Sequence, residues 1–176
     1  MKKMVVALIA FLVMGTLSAE EFIEKDMLGK ANAFKTWTRH ERARFNKGEG
    51  PEGKNAVTIS AAIGGGPFVL SKSFNDRLEK LKGRKVALYG MVKAYNVPKG
   101  EKHWFGIKFQ VTYKQKGVEG TRYIEADGPR HGAFDWKEYE VVVDLPEDLS
   151  AFSINIGLQG TGGKIQISDV DLKLAE

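Results

Sequence analysis

The chain has 176 residues, of which 43% are hydrophobic and 28% are charged, a composition typical of one soluble globular domain. It contains no cysteine, so we expect no disulfide, no thiol nucleophile and no lipid anchor attached to cysteine. The net charge of +5 is spread along the chain, which argues against a nucleic-acid partner but is compatible with an anionic polysaccharide.

The first 19 residues have the pattern of a secretory signal peptide. Lys2 and Lys3 precede an apolar run of 11 residues from Met4 to Met14, and small residues follow up to Ala19. Such a run is shorter than the roughly 20 apolar residues that cross a membrane. We predict cleavage after Ser18 or Ala19, with an anchor that stays attached as the alternative. The mature domain, residues 20–176, is then secreted or periplasmic, without membrane attachment, and carries a net charge of +3 from 25 basic and 22 acidic residues.

The first half of the mature chain consists of short segments separated by turn-forming residues. We predict a loop or short strand over residues 20–33, a short strand over 34–38, a charged surface loop over 38–53, and strands over 55–62 and 68–74. The segment Asn75 to Leu81 is the one predicted helical connector, because Leu78 and Leu81 are three residues apart and Gly83 follows them.

The second half shows the alternation of half-buried strands, which repeats every two residues. The clearest case is residues 104–113, where one side is apolar and the other carries Trp104, Lys108 and Gln110. Similar runs cover residues 84–95, 121–125, 138–143, 152–159 and 165–172. The count of about eight or nine strands, without a strand–helix–strand rhythm, predicts one all-β domain, an antiparallel β-sandwich.

Signatures of common hydrolases are missing from the sequence. It has no Gly-x-Ser-x-Gly elbow and no His-Glu-x-x-His motif, and His40, His103 and His131 are far apart. Glu138 and Glu140 lie two residues apart on one strand, and Glu125 is a further carboxylate that could neighbour them. A pair of such carboxylates could serve a glycosidase, but on a sandwich we interpret them as part of a solvated outer surface.

The aromatic residues and the planar polar residues suggest a different chemistry. Flat rings stack on the apolar faces of sugars, while amides and charged groups bind sugar hydroxyls. Trp104 lies at a strand start, out of phase with the core positions. We predict that ligand contacts come from one sheet face and from a loop, through the sheet residues Trp104, Tyr89, Lys108, Gln110, Asn155 and Gln159 and the loop residues Trp37 and Arg39.

Three segments, taken in order, resemble carbohydrate-binding modules of the galactose-binding-like jelly-roll superfamily, in particular those similar to families 4, 9 and 22. They are residues 81–94, the Asp135-Trp136-x-x-Tyr139 motif with its Leu145-Pro146 exit, and the closing run of residues 162–172. The resemblance covers about residues 55–174. It implies a jelly-roll sandwich that binds carbohydrate without cleaving it.

The closing run also carries an implied metal site. In the family that this chain resembles, a carboxylate at the closing bend helps to hold a structural calcium ion, and the matching position here is Asp169. The usual Asp-Asp pair is altered, because Ser168 stands at its first position. The alternative is that Asp169 only caps a β-bulge.

The functional prediction is therefore a secreted, non-catalytic protein that binds a poly- or oligosaccharide. Two alternatives stay open. One is a structural or protein-interaction module of the same fold in the cell envelope, and the other is a small glycan hydrolase or lyase that uses Glu125 or Glu138.

Overall fold

The computed structural model describes residues 21–39, 43–63 and 68–175, and the predicted signal peptide lies outside them. Ten strands make up most of this part: β1 Phe22–Glu24, β2 Ala43–Asn46, β3 Ala56–Ala61, β4 Phe68–Ser73, β5 Lys85–Val97, β6 Gly106–Gln115, β7 Arg122–Glu125, β8 Gly132–Asp144, β9 Leu149–Gln159 and β10 Gly163–Leu174. The helical segments are α1 (Ala31–Phe34), α2 (Leu78–Leu81) and the 3-10 turns Pro51–Gly53 and Asn75–Arg77. Within the described ranges, no helix is long and apolar enough to cross a membrane.

The strands form two sheets that pack face to face. One sheet has six strands in the order β2–β3–β10–β5–β8, with β1 also paired to β10. The other has four strands in the order β4–β9–β6–β7, and every pairing in both sheets is antiparallel. The predicted all-β antiparallel sandwich with one short helical connector is confirmed.

The core lies between the two sheets and consists of the inward residues of the alternating strands. From the four-stranded sheet, Ile107, Phe109 and Val111 of β6 pack beside Phe152 and Ile154 of β9, all 3% exposed or less. The six-stranded sheet supplies a matching layer, made of Val86, Leu88, Val92, Ile165 and Ile167. Each such side chain contributes about 1.5–3 kcal/mol when buried, so the alternation determines which side of each strand faces inward.

Two local predictions for the first half were wrong. Residues 34–38 form the end of α1 and a turn, with a single bridge between Thr38 and Ser71 in place of a strand. The predicted loop over residues 38–53 contains β2, which pairs with β3. A strand of four residues has little pattern of its own, so its conformation depends on the neighbouring strand to which it binds.

Candidate functional site

The outer surface of the four-stranded sheet carries a row of polar side chains that crosses all four strands. Ser71 of β4 pairs with Asn155 of β9, Asn155 pairs with Gln110 of β6, and Gln110 pairs with Glu125 of β7. Because side chains alternate along each strand, the residues two positions away lie on the same surface. We call this surface the polar face and define it by Ser71, Ser73, Lys108, Gln110, Thr112, Tyr123, Glu125, Ser153, Asn155 and Gln159.

The centre of this polar face is sheltered from solvent although its side chains are polar. Lys108, Gln110 and Thr112 are 2%, 6% and 9% exposed. The side-chain nitrogen of Asn155 donates a hydrogen bond to Thr112 Oγ1 at 3.1 Å. Such contacts hold the polar side chains in fixed positions.

Two cations hold the carboxylate of Glu125. Lys108 Nζ contacts Glu125 Oε1, and the guanidinium of Arg130 contacts Glu125 Oε2. The side chain of Lys108 is 3% exposed and that of Glu125 is 19% exposed, whereas Arg130 is 36% exposed. A lysine so deeply buried is costly unless its charge is paired, and Glu125 provides this pairing.

Arg130 reaches Glu125 because its loop lies against the start of β6. Ile107 N donates a hydrogen bond to the carbonyl oxygen of Arg130 at 2.8 Å. Gly106 has a φ of 132° there, and a Cβ at this position would lie 2.4 Å from that same oxygen. Glycine is therefore required for the close approach of the two backbones.

Trp104 lies just before β6, at one end of the polar face. Its side chain is 42% exposed, the ring of His103 meets it edge-on at 4.7 Å, and Lys102 Nζ lies 5.2 Å from its ring centroid. An indole this exposed can contact a ligand with part of its ring.

The structure brings together some of the residues predicted for ligand contact. Lys108, Gln110, Asn155 and Gln159 share the polar face, and Trp104 borders it. Lys108 and Gln110 are only 2% and 6% exposed, however, so their burial counts against the predicted direct contact with a ligand. Arg39 follows Thr38, which bridges to Ser71 on the edge strand β4, so Arg39 also lies at a border of this face.

Two of the predicted residues lie elsewhere, and their assignment is corrected. Trp37 is 1% exposed, and its indole nitrogen donates to the carbonyl oxygen of Met27 at 3.3 Å, so it belongs to the core. Tyr89 lies on the outer surface of the six-stranded sheet, between Glu140 and Asp171 in the strand register. It is therefore on the opposite side of the sandwich from Lys108.

Two residues of this site were not predicted from the sequence: Tyr123, which lies on the polar face, and Arg130, which contacts it through Glu125. Tyr123 is 65% exposed and pairs with Thr112, a position that the alternation around Glu125 could have indicated. Arg130 lies in a loop without periodicity, so only the folded chain reveals that it contacts Glu125.

Asp169, the position of the implied calcium site, lies in a β-bulge of β10. Asp169 has a φ of 52°, and the register shifts between Ser168 and Asp171. Its Oδ2 lies 3.2 Å from Lys54 Nζ, and Oδ1 of Asp171 accepts a hydrogen bond from the backbone N–H of Asp26 at 2.6 Å. Residues 21–39, 43–63 and 68–175 contain no group of three or more His, Cys, Asp or Glu that could hold a metal ion.

Calcium takes six to eight oxygen ligands, whereas here the carboxylate at the bend is paired with the ammonium of Lys54. The arrangement matches the alternative in which Asp169 serves a β-bulge. We therefore derive no role for calcium. A cleft of about 630 Å³ beside the bend is lined by charged and polar residues, among them Lys25, Asp26, Lys54, Tyr89, Glu138, Asp169 and Asp171.

Comparison with known proteins finds no matching family model and no matching curated protein. Solved structures do match. The CBM22-1 xylan-binding domain from Paenibacillus barcinonensis superposes with a TM-score of 0.60 and 13% sequence identity, over 90% of this chain and 97% of that one.

Two larger structures contain a similar domain. The CBM22-1 and GH10 modules of endo-1,4-beta-D-xylanase 10B from Clostridium thermocellum, complexed with xylohexaose, match with a TM-score of 0.60 and 14% identity over 90% of this chain. This chain spans only 29% of that structure. The enzymatically active domain of tailspike protein 4 of bacteriophage CBA120 matches with a TM-score of 0.53 and 14% identity, over 76% of this chain and 18% of that one.

At 13–14% identity, these similarities concern the fold and not the site residues. The same architecture occurs in xylan-binding modules and within a phage enzyme, so function has to be argued from the side chains. The chain has the jelly-roll β-sandwich fold of these carbohydrate-binding modules.

Proposed function

We propose that this protein binds a poly- or oligosaccharide on the polar face and does not cleave it. The observation that carries the proposal is the row Ser71, Asn155, Gln110 and Glu125, which places hydroxyl, amide and carboxylate groups side by side across four strands. Sugar hydroxyls both donate and accept hydrogen bonds, and such a row offers both kinds of partner. The xylan-binding modules that share the fold add support for this class of ligand.

Trp104 supplies the apolar part of the proposed contact. Its partly exposed ring lies just before β6 begins, so a sugar lying along the strand could stack on it while reaching the half-buried Asn155 and Gln159. The signal-peptide pattern supports action outside the cytoplasm, where polysaccharides occur.

A hydrolytic role is less well supported. Glycosidases of the common type use two carboxylates, one of which donates a proton to the leaving group. Glu125 lines a cleft of about 440 Å³ together with Asp127, Glu138 and Glu140, but both of its oxygens contact cations. With both oxygens engaged by Lys108 and Arg130, this carboxylate is not free to approach a leaving group.

A protein-interaction role has less support as well, because one continuous exposed apolar patch would be expected for it. The large exposed hydrophobic residues of the described ranges lie on different strands and loops: Ile63, Tyr95, Trp104, Val118, Tyr123 and Val142.

The proposal is tested by measuring binding to a panel of plant and bacterial polysaccharides with isothermal titration calorimetry. Asn155→Ala and Gln159→Ala each remove one planar amide from a half-buried position of the polar face. We expect each to weaken binding about fivefold to tenfold, since one hydrogen bond contributes roughly 1 kcal/mol.

Asn32→Ala is the matched control, because Asn32 is exposed on α1 and is not among the residues that define the polar face. Thermal melts of all variants separate lost binding from lost folding. The proposal is wrong if no polysaccharide of the panel binds, or if Asn32→Ala weakens binding as much as Asn155→Ala does.

A further inference from the structure

We infer that the sugar bound on the polar face is acidic, with a carboxylate or a sulfate ester that contacts Arg130. This inference rests on the proposed function, whose ligand class it narrows. It follows from the excess positive charge at the face, from the N–H donors of the Arg130 guanidinium that remain for a ligand, and from the position of Arg130 beside Trp104.

The charges at the polar face do not balance. Glu125 carries one negative charge and contacts two cations, so the group of Lys108, Glu125 and Arg130 has an excess of one positive charge. Lys114 continues the outward side of β6 and adds another cation at an exposed position. The excess charge resides on the partly exposed guanidinium of Arg130, where a bound anion would pair with it.

Arg130 is the cation that can reach a ligand. Lys108 is 3% exposed in its side chain, whereas Arg130 is 36% exposed. A guanidinium has five N–H donors. In this structure one terminal nitrogen contacts Glu125 and the other donates to the carbonyl oxygen of His103 at 3.3 Å. The remaining donors match the oxygens of a second carboxylate or of a sulfate, which arginine binds in a forked geometry.

The position of Arg130 links this cation to the aromatic ring. His103, whose carbonyl oxygen accepts the hydrogen bond from Arg130, directly precedes Trp104. A sugar ring that stacks on Trp104 therefore lies near the guanidinium that would hold its acidic substituent. Lys102 Nζ, 5.2 Å from the Trp104 ring centroid, adds positive charge at the same end of the face. The exposed carboxylates Glu101 and Asp127 lie in the bordering loops and reduce this potential in part.

Matched pairs of polymers test the inference. Polygalacturonate is compared with carboxyl-reduced polygalacturonate, and carrageenan is compared with desulfated carrageenan, by calorimetry at two salt concentrations. We expect at least one charged polymer to bind about tenfold more tightly than its neutral counterpart, with an affinity that falls as salt rises. The pair that shows the difference identifies carboxylate or sulfate as the anionic group.

Three arginine variants separate local recognition from general attraction to a basic protein. Arg130→Gln should lower affinity for the charged polymer about tenfold and leave the neutral polymer unaffected. Arg84→Gln removes the same charge from an exposed position before β5 and should leave both affinities unchanged. Arg130→Lys should give an intermediate loss, because it keeps the charge but not the fork. Melting temperatures of the variants confirm that each is folded.

The outcomes distinguish the inference from the proposal beneath it. If neutral polymers bind as tightly as charged ones and Asn155→Ala weakens that binding, the polar face binds sugar but the inference is wrong. If Arg84→Gln weakens binding of charged polymers as much as Arg130→Gln, the attraction is general and the inference is again wrong. If no polymer binds at all, the proposed function itself fails.

Discussion

Lys54 and Asp169 form an ion pair, with Nζ and Oδ2 at 3.2 Å, although they lie 115 positions apart in the sequence. The pair joins the segment before β3 to the bend of β10, where Asp169 has a positive φ. The hydrogen bond with Asp169 raises the pKa of Lys54, so the ammonium stays charged across the physiological range. The bend is thus neutralised by the protein itself.

This pair predicts that folding does not depend on calcium. The melting temperature of the protein should be the same in excess EDTA and in excess calcium chloride, as measured by differential scanning calorimetry. Lys54→Met should change stability little in the absence of metal, because both partners are partly exposed. A rise in melting temperature when calcium is added to the unaltered protein would support the calcium site and contradict our assignment of the bend.

Asp171 should make the protein less stable at neutral pH than an uncharged residue would. Burial raises the pKa of the Asp171 carboxyl, and the charges of Asp26 and Asp169 add to this, against the hydrogen bond from the Asp26 N–H. Because the pKa in the folded state lies above that of the unfolded chain, stability falls as pH rises through this interval. Asp171→Asn keeps an acceptor for the Asp26 N–H and removes the charge.

We therefore expect the Asp171→Asn variant to melt at a higher temperature than the unaltered protein at pH 7. The difference should disappear as pH falls to about 4, the usual range of an aspartate pKa, where Asp171 is protonated. Asp144→Asn, at an exposed position of β8, is the control and should show no such pH-dependent gain. Equal melting temperatures of both variants at every pH would contradict this prediction.

Tyr139 should stabilise the fold through its hydroxyl as well as its ring. The hydroxyl donates a hydrogen bond to the carbonyl oxygen of Pro129, and the ring lies 5.7 Å from that of Phe109. Tyr139→Phe leaves this carbonyl without its donor, so we expect a loss of about 1 kcal/mol in urea denaturation. Tyr123→Phe, at a side chain that is 65% exposed, should cost nothing measurable.

The same residue predicts a change in alkaline stability. Burial raises the pKa of Tyr139 well above its usual value of 10.0. The unfolded chain then loses this proton before the folded chain does, so stability falls as pH rises above about 10. The free energy of unfolding of the Tyr139→Phe variant should fall less steeply above that pH, because the variant lacks the one proton that the folded and unfolded states bind differently. An unchanged slope would show that the folded and unfolded states ionise alike.

Trp37 should affect stability and not ligand binding. Its ring is 1% exposed within the core, so Trp37→Ala should lower the free energy of unfolding by about 3–5 kcal/mol. Trp37→Phe keeps most of the packing and should remain folded with unchanged polysaccharide affinity. The comparison is Trp104→Ala, which should change stability by less than about 1 kcal/mol, since Trp104 is 42% exposed, and should weaken binding. The opposite pattern would restore Trp37 as a ligand residue.

The alternation of apolar residues predicts the fold class and the inner and outer sides of the long strands from local sequence. A strand backbone turns successive side chains to opposite sides, so the apolar positions of residues 104–113 and 152–159 identify the core without knowledge of their partners. For the same reason, Lys108 and Gln110 had to lie on one side of β6. Asn155 and Gln159 followed from the alternation of β9 in the same way.

Which strands are neighbours, and which loops approach them, depends on the folded chain and cannot be read from local sequence. Local alternation does not say to which sheet a strand belongs, so the position predicted for Tyr89 from the sequence is on the wrong side of the sandwich. Burial of Trp37 depends on the elements that cover it, and its own segment has no strand pattern. The pairing of Asn155 with Gln110 comes from strand register, and the contact of Arg130 with Glu125 from a loop that Gly106 allows to approach. These long-range contacts have no signal in local sequence, because they form between segments that only the folded chain brings together.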